Sequence, residues 1–153
     1  MDSFDRTILT CLQANSRMTA EALSAEVGLS PAACQKRVKR LRDRGVIERE
    51  IAVLSPRAVA RGLTLIVEVT LERERAEILD AFKRRMRAAP EVMQCYYVTG
   101  SADFILILTA RDMSDYEDFT RRHFFAESAV SRFNTNVVMD RVKVGLSVPL
   151  EAE

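Results

Sequence analysis

The chain has 153 residues, 48% of them hydrophobic, with 23 Lys or Arg against 22 Asp or Glu. That length fits one ordinary domain or two small ones with packed cores, and a net charge of +1 excludes a basic coat for nucleic acid spread over the whole surface. No apolar run approaches the roughly 18 residues of a membrane span, and the opening Met-Asp-Ser-Phe-Asp has neither the basic nor the apolar region of a signal peptide.

The charge is uneven: residues 1–60 carry net +3 and residues 61–153 carry net −2. Phe4, Ile8, Leu9 and Leu12 give a helical apolar pattern over residues 5–15, and Asn15-Ser16-Arg17 reads as a turn. Thr19 is placed to cap a short second helix, Glu21 suits its positive end, and Leu23 and Val27 supply its core face. Gly28 permits a tight bend. Ser30 is then a good N-cap and Pro31 suits the first helical position.

In this third helix Cys34, Val38 and Leu41 form one apolar stripe. Lys36, Lys39, Arg40 and Arg44 lie mostly off it, and Gly45 ends the helix. Residues 31–44 hold six cations and one acid. Helix, helix, glycine turn and basic helix make up the tri-helical helix-turn-helix plan. The structural alternative is a plain helical bundle with a solvated basic face.

Ile47, Ile51 and Val53 are β-formers, and the spacing predicts a strand that closes at Ser55-Pro56. Residues 57–61 fit one helical turn before Gly62, which serves as the hinge. The expected division is a DNA-binding domain with linker strand over 1–60 and a second domain over 61–153.

The second domain alternates strand and helix. Leu65, Val67, Val69 and Leu71 alternate with Thr64, Ile66, Glu68 and Thr70 as a half-buried strand. Ile78, Leu79, Phe82 and Met86 mark an amphipathic helix over 75–88, with Lys83, Arg84 and Arg87 on its outer face and Pro90 after it. Strands follow over 94–99 and 103–110, joined at Gly100-Ser101, and the apolar run Phe104 to Leu108 predicts a central strand. Ser114 is the expected cap of a helix with Tyr116, Phe119, His123 and Phe124 inward, and a last strand is expected over 134–144. The order strand, helix, strand, strand, helix, strand is that of ferredoxin-like βαββαβ domains, so the fold class is α+β. Helices cover one sheet face. The other needs cover too, and sheet-to-sheet dimerisation supplies it. Tyr97, Val67 and Ile107 are residues of the kind involved, although sequence does not assign their faces. Tyr96 and Tyr97 read as interface or core, and the run Glu72-Arg73-Glu74-Arg75 as a solvated strand end.

Cys11, Cys34 and Cys95 are odd in number and widely spaced, which reads as core thiols in a reducing cytoplasm. No His/Cys cluster has metal spacing and no nucleophile motif is present, so no cofactor, metal or catalytic residue is expected.

These segments together resemble the Lrp/AsnC family of leucine-responsive and asparagine-type, or feast/famine, regulators. The resemblance rests on residues 5–9, Val27-Gly28-Leu29-Ser30-Pro31-Ala32-Ala33-Cys34, Arg37-Val38-Lys39-Arg40-Leu41 and Gly45-Val46-Ile47. In the second domain it rests on residues 98–104, Asp112-Met113-Ser114-Asp115-Tyr116 and residues 135–139. It implies an N-terminal DNA-binding domain, a ferredoxin-like sensing domain, and dimers assembling to octamers or tetramers. It also implies a small-molecule effector, usually an amino acid, held between dimers. Carried over by position, the effector residues are Thr99, Gly100, Ser101, Ala102 and Asp103, with Met113, Asn136, Val137 and Val138 nearby.

The turn chemistry is compatible with a zwitterion: Gly100 lets backbone amides face a carboxylate, and Asp103 can pair with an ammonium. The alternative is a tight hairpin turn that Asp103 caps. Three positions depart from the common family pattern: Ala102 in place of an aromatic, Asn136 in place of Tyr, and residues 126–131 without the usual Pro-Gly. Ala102 and Asn136 point to a bulkier or more polar effector than leucine.

As a sequence-specific regulator, the chain would set Ser30 and the Ala32 amide on phosphate, Gln35 on adenine and Lys36 on guanine. Arg37, Lys39 and Arg40 would hold the DNA backbone, with Arg37 equally able to serve as an anchor inside the domain. Two other functions fit the layout: an enzyme like the siroheme decarboxylases, which share it, and an architectural DNA-wrapping protein without an effector. Against an enzyme stand the single histidine, His123, on a core face, and the basic third helix.

Overall fold

The computed structural model describes residues 1–73, 75–126 and 129–150. Its contacts divide the chain into two compact units: Met1–Ala52 joined by the C-terminal segment from Lys143, and Val53–Val142.

The first unit holds α1 (Ser3–Ala14), α2 (Ala20–Val27) and α3 (Pro31–Asp43). Each begins on an oxygen-bearing cap. Asp2 accepts from the Asp5 amide, Thr19 from the Ala22 amide and Ser30 from the Ala33 amide. Gly28 closes α2 with φ +75°, a left-handed conformation that a β-carbon would strain. Ile8, Leu9, Leu12, Leu23, Val27, Cys34, Val38 and Leu41 interlock as the core, so the apolar stripe read along the third helix is its buried face.

The C-terminal segment belongs to this core by its contacts. Leu150 packs against it. The Gln13 side chain donates to the Val148 carbonyl at 3.0 Å and accepts from the Val148 amide at 2.6 Å.

The second unit contains β1 (Leu63–Leu71), α4 (Ala76–Ala88), β2 (Val92–Tyr97), β3 (Phe104–Ala110), α5 (Met113–Thr120) and β4 (Val130–Val137). The four strands lie in the order β2-β3-β1-β4 and all pairs are antiparallel. This is the expected ferredoxin-like α+β arrangement, with β3 and β1 central. Leu65, Val67, Val69, Phe104, Leu106 and Leu108 meet Phe82, Met86, Tyr116, Phe119 and Phe124 in one core. Burying each large side chain contributes about 1.5–3 kcal/mol.

Several expectations change. Residues 48–55 form no strand, and Ile51, Val53 and Leu54 are exposed. A strand needs a neighbour for its backbone hydrogen bonds, and among the described residues none pairs with this segment. The last strand ends at Val137 rather than 144, because its partner β1 runs out: Val137 faces Leu65, and the Val138 amide reaches the Thr64 carbonyl. Asp112, not Ser114, caps α5 by accepting from the Asp115 amide at 2.8 Å. Beyond Thr120 the helix widens into a π-helical turn, Arg121–Phe125, which buries Phe124 and leaves Phe125 exposed. Val67 is wholly buried on the helix-covered face, and Tyr97 lies opposite Phe104 on the same side. Of the three residues named for the other face, only Ile107 lies there, between Gln94 and Ile66. Within 72–75 and 126–131, residues 74, 127 and 128 lie outside the described residues.

Candidate nucleic-acid interface and ligand turn

The third helix sorts its charges onto two faces. Arg37 Nη1 donates to Asp2 at 2.7 Å and to Asp5 at 2.8 Å, and its guanidinium carbon stands 5.3 Å from the centre of the Phe4 ring. Arg40 Nη2 donates to both oxygens of Asp5, at 2.8 and 2.7 Å. The Asp5 side chain is 3% exposed, so these two cations are what allow a carboxylate to be buried there. The Asp5 amide, which donates to the Asp2 carboxylate, and then Arg37 hold the Asp2 carboxyl below its ordinary value. Arg37 therefore ties α3 to the start of α1, and Arg40 shares that engagement while keeping about half of its side chain exposed.

The neighbouring row of α3 faces solvent. Ala32, Gln35, Lys36 and Lys39 are exposed at spacing i, i+3, i+4 and i+7, one row along the helix. Lys36 and Gln35 have no ion pair or side-chain hydrogen bond among the described residues. Lys39 pairs only with Asp43, at 2.6 Å with both side chains mostly exposed, an interaction of small worth that a phosphate can replace. Ser30 sits at the N-terminal end, where the amides of the first turn point out of the helix. A row with one amide side chain, two ammonium groups and a helix N-terminus is suited to a groove lined by phosphates and base edges.

The carried-over effector residues fall into two groups within one chain. The turn 99–103 sits at one end of β1: the Asp103 amide donates to the Val69 carbonyl, and Asp103 Oδ2 accepts from the Leu71 amide at 2.7 Å. One carboxylate oxygen is thus already committed to the end of β1. Thr99, Gly100 and Ser101 are exposed, and Ala102 is buried. Asn136, Val137 and Val138 sit towards the other end, with Val137 opposite Leu65. From Val69 to Leu65 is four residues, or about 14 Å at strand rise. Met113 begins α5 beyond that far end of the sheet. It lines an open groove of about 380 Å³ with Ser114, Tyr116, Glu117, Thr120 and Phe133. A single chain does not bring all nine residues into one pocket.

Residues 64–148 match the model of the Lrp/AsnC ligand binding domain, and residues 1–42 match that of the AsnC-type helix-turn-helix domain. The chain belongs to the Lrp/AsnC family. It is 55% identical over 151 residues to an HTH-type transcriptional regulator, y4tD, of Sinorhizobium fredii, covering 99% of this chain and 89% of that one. It is 36% identical over 143 residues to the leucine-responsive regulatory protein of Haemophilus influenzae, covering 94% and 86%. A transcriptional regulator of Neisseria meningitidis, solved as a complex with L-Met, superposes with a TM-score of 0.92 at 32% identity, over 97% of this chain and 96% of that one. As a family member, the chain is a DNA-binding transcriptional regulator with a small-molecule-binding domain.

Sequence reasoning missed the Lrp/AsnC chain's acidic anchor, Asp2 and Asp5. The available signal was two acids three residues apart at a helix start, in a unit whose third helix is rich in cations. It also missed the Gln13–Val148 clasp, for which a single sequence holds no local signal. Among the described residues no helix is long and apolar enough to cross a membrane, and no group of three or more His, Cys, Asp or Glu is placed to hold a metal.

Proposed function

We propose that this regulator reads duplex DNA with the row Ala32, Gln35, Lys36 and Lys39. We further propose that its DNA binding or assembly changes when an amino acid binds at a site shared between copies of the chain. The observation that carries the reading is the sorting of α3: Arg37 and Arg40 spend their charge on Asp2 and Asp5, while the solvent-facing row keeps Gln35 and Lys36 unengaged among the described residues and Lys39 only in an exposed pair with Asp43. In this reading Ser30 and the Ala32 amide meet phosphate, Gln35 and Lys36 reach base edges, and Lys39 holds the backbone. Arg40 adds a phosphate contact only where it can keep Asp5, and Arg37 contributes through the fold.

The effector site combines the turn Thr99, Gly100, Ser101, Ala102 and Asp103 of one copy with Met113, Asn136, Val137 and Val138 of another. Their separation within a single chain supports this. The partly apolar open sheet face, with Ile66, Ile105, Ile107 and Tyr96, supports dimerisation through it, and assembly to a tetramer or octamer then brings the turns to their partners. An amino acid is the effector class because the Neisseria relative was solved with L-Met and the Haemophilus relative is named leucine-responsive. The regulator works on DNA in the cytoplasm, and the reading contains no catalytic step.

The test is a thermal-shift panel of the twenty amino acids, singly. A ligand at about 100 times its dissociation constant adds about 2.7 kcal/mol, or several degrees. A shift with one or a few amino acids, lost in Asp103→Ala, is the expected result. No shift with any of the twenty overturns the amino-acid reading.

A further inference from the structure

A second, chemically different cavity lies in the sensing unit, lined by none of the nine effector residues although Phe104 directly follows the turn 99–103. It measures about 220 Å³, opens to solvent between α4 and the edge strand β2, and is lined by Lys83, Arg87, Cys95, Tyr97 and Phe104. Its construction follows from two periodicities. Lys83 and Arg87 are four residues apart, so α4 presents both cations on one line. Cys95 and Tyr97 are two apart, so β2 turns both towards that helix, and Phe104 opposite Tyr97 forms the floor. The Tyr97 and Phe104 ring centres lie 5.1 Å apart, and Lys83 Nζ stands 4.9 Å from the Tyr97 ring centre.

Lys83 has only a long contact to Asp80, at 3.9 Å, and Arg87 has no ion-pair partner among the described residues. Two underused cations therefore border a half-apolar cleft. Arg87 and Lys83 both act on the Cys95 thiol, pulling against the burial that raises its pKa, so the cations and the sulfur share one space. The lining includes no carboxylate. An α-amino acid entering it would pair its carboxylate but strand its ammonium between two like charges. The volume falls below the range of drug-sized pockets, so a compact metabolite fits and a nucleotide does not.

We propose that this cleft binds a small organic acid with an apolar or aromatic body and no ammonium group. Arg87 and Lys83 hold the carboxylate, and Tyr97 and Phe104 cover the body. The regulator thereby carries a site that distinguishes an organic acid from the amino acid of the same skeleton. This site uses different side chains from the neighbouring turn at 99–103 and does not depend on the reading of that turn.

The test uses 3-phenylpropanoate and L-phenylalanine, which share a body and differ by the ammonium, with inorganic phosphate as the bare anion. Calorimetry on the full chain is expected to give saturable binding of 3-phenylpropanoate and at least about tenfold weaker binding of L-phenylalanine and phosphate. Arg87→Gln and Lys83→Gln are each expected to weaken 3-phenylpropanoate about tenfold, with an unchanged circular-dichroism spectrum confirming the fold. Bound ligand also slows iodoacetamide alkylation of Cys95, read by peptide mass spectrometry. L-Methionine in excess leaves the ligand in place. Absence of binding, equal binding of phosphate, indifference to both substitutions, or displacement by L-methionine would each overturn the proposal. Displacement would assign the ligand to the effector turn instead.

Discussion

The Asp5 carboxylate, 3% exposed, accepts a 2.8 Å hydrogen bond from Arg37, thirty-two residues along the chain on α3. This pair ties the direction of α3 to the start of α1. It engages a basic residue of α3 inside the helical unit, while Gln35 and Lys36 on the same helix stay without side-chain partners among the described residues.

Asp5→Ala leaves Arg37 and Arg40 without their buried partner. Because both guanidinium groups keep some contact with water, the cost is expected below that of a fully buried pair, at about 2 kcal/mol. Urea denaturation of the full chain measures it. Arg37→Ala is expected to lower the melting temperature as well, while the slope of log affinity for DNA against log salt stays unchanged.

Lys36→Ala should behave in the opposite way. Lys36 is exposed and supports nothing in the fold, so the melting temperature is expected to hold. As a base-reading residue it is expected to cost about 1–3 kcal/mol on the target duplex and much less on random DNA. Fluorescence anisotropy on both duplexes checks this. Equal weakening on both, with the salt slope reduced by about 1, would reassign Lys36 to phosphate.

Gln13→Ala removes both hydrogen bonds to Val148. The segment from Lys143 then keeps Leu150 as its hold on the helical core. Hydrogen exchange at the Val148 amide is expected to speed up about tenfold, with the amides of α1 unaffected.

Burial, reinforced by Arg122 and only partly opposed by Glu91, holds the His123 pKa below its ordinary 6.5. The unfolded chain therefore takes up this proton at a higher pH than the folded one. The stability contributed is fully present above about pH 6.5 and is lost as pH falls from there through the folded value. Melting temperature measured from about pH 7.5 to about pH 5 is expected to decline, and His123→Leu is expected to flatten that decline.

What the sequence revealed was what the chain determines locally. The cap at Ser30, Pro31 at the first position and the stripe Cys34, Val38 and Leu41 act within one or two helical turns, so the third helix was legible before any packing was known. The alternation from Leu65 to Leu71 likewise marked β1 as a strand, although which of its faces the helices cover, and so the place of Val67, waited on the packing. What failed depends on a partner elsewhere. The expected strand near Ile51 had no neighbour to pair with, and β4 stopped where β1 ended. The Arg37 contact with Asp5, thirty-two residues away, was not legible locally, and the Gln13–Val148 clasp spans 135. The effector residues, carried over from family resemblance as one group, are split by the sheet topology because Asp103 and Val137 meet β1 near opposite ends.

The most direct measurement selects duplexes from a random pool with the full chain, then titrates the enriched sequence by anisotropy with and without each amino acid. The expected result is one enriched motif, bound with a salt dependence to which Lys39 contributes, whose affinity changes several-fold with one or a few amino acids. Failure to enrich any motif, or an affinity indifferent to all twenty, would contradict a sequence-specific, amino-acid-responsive regulator.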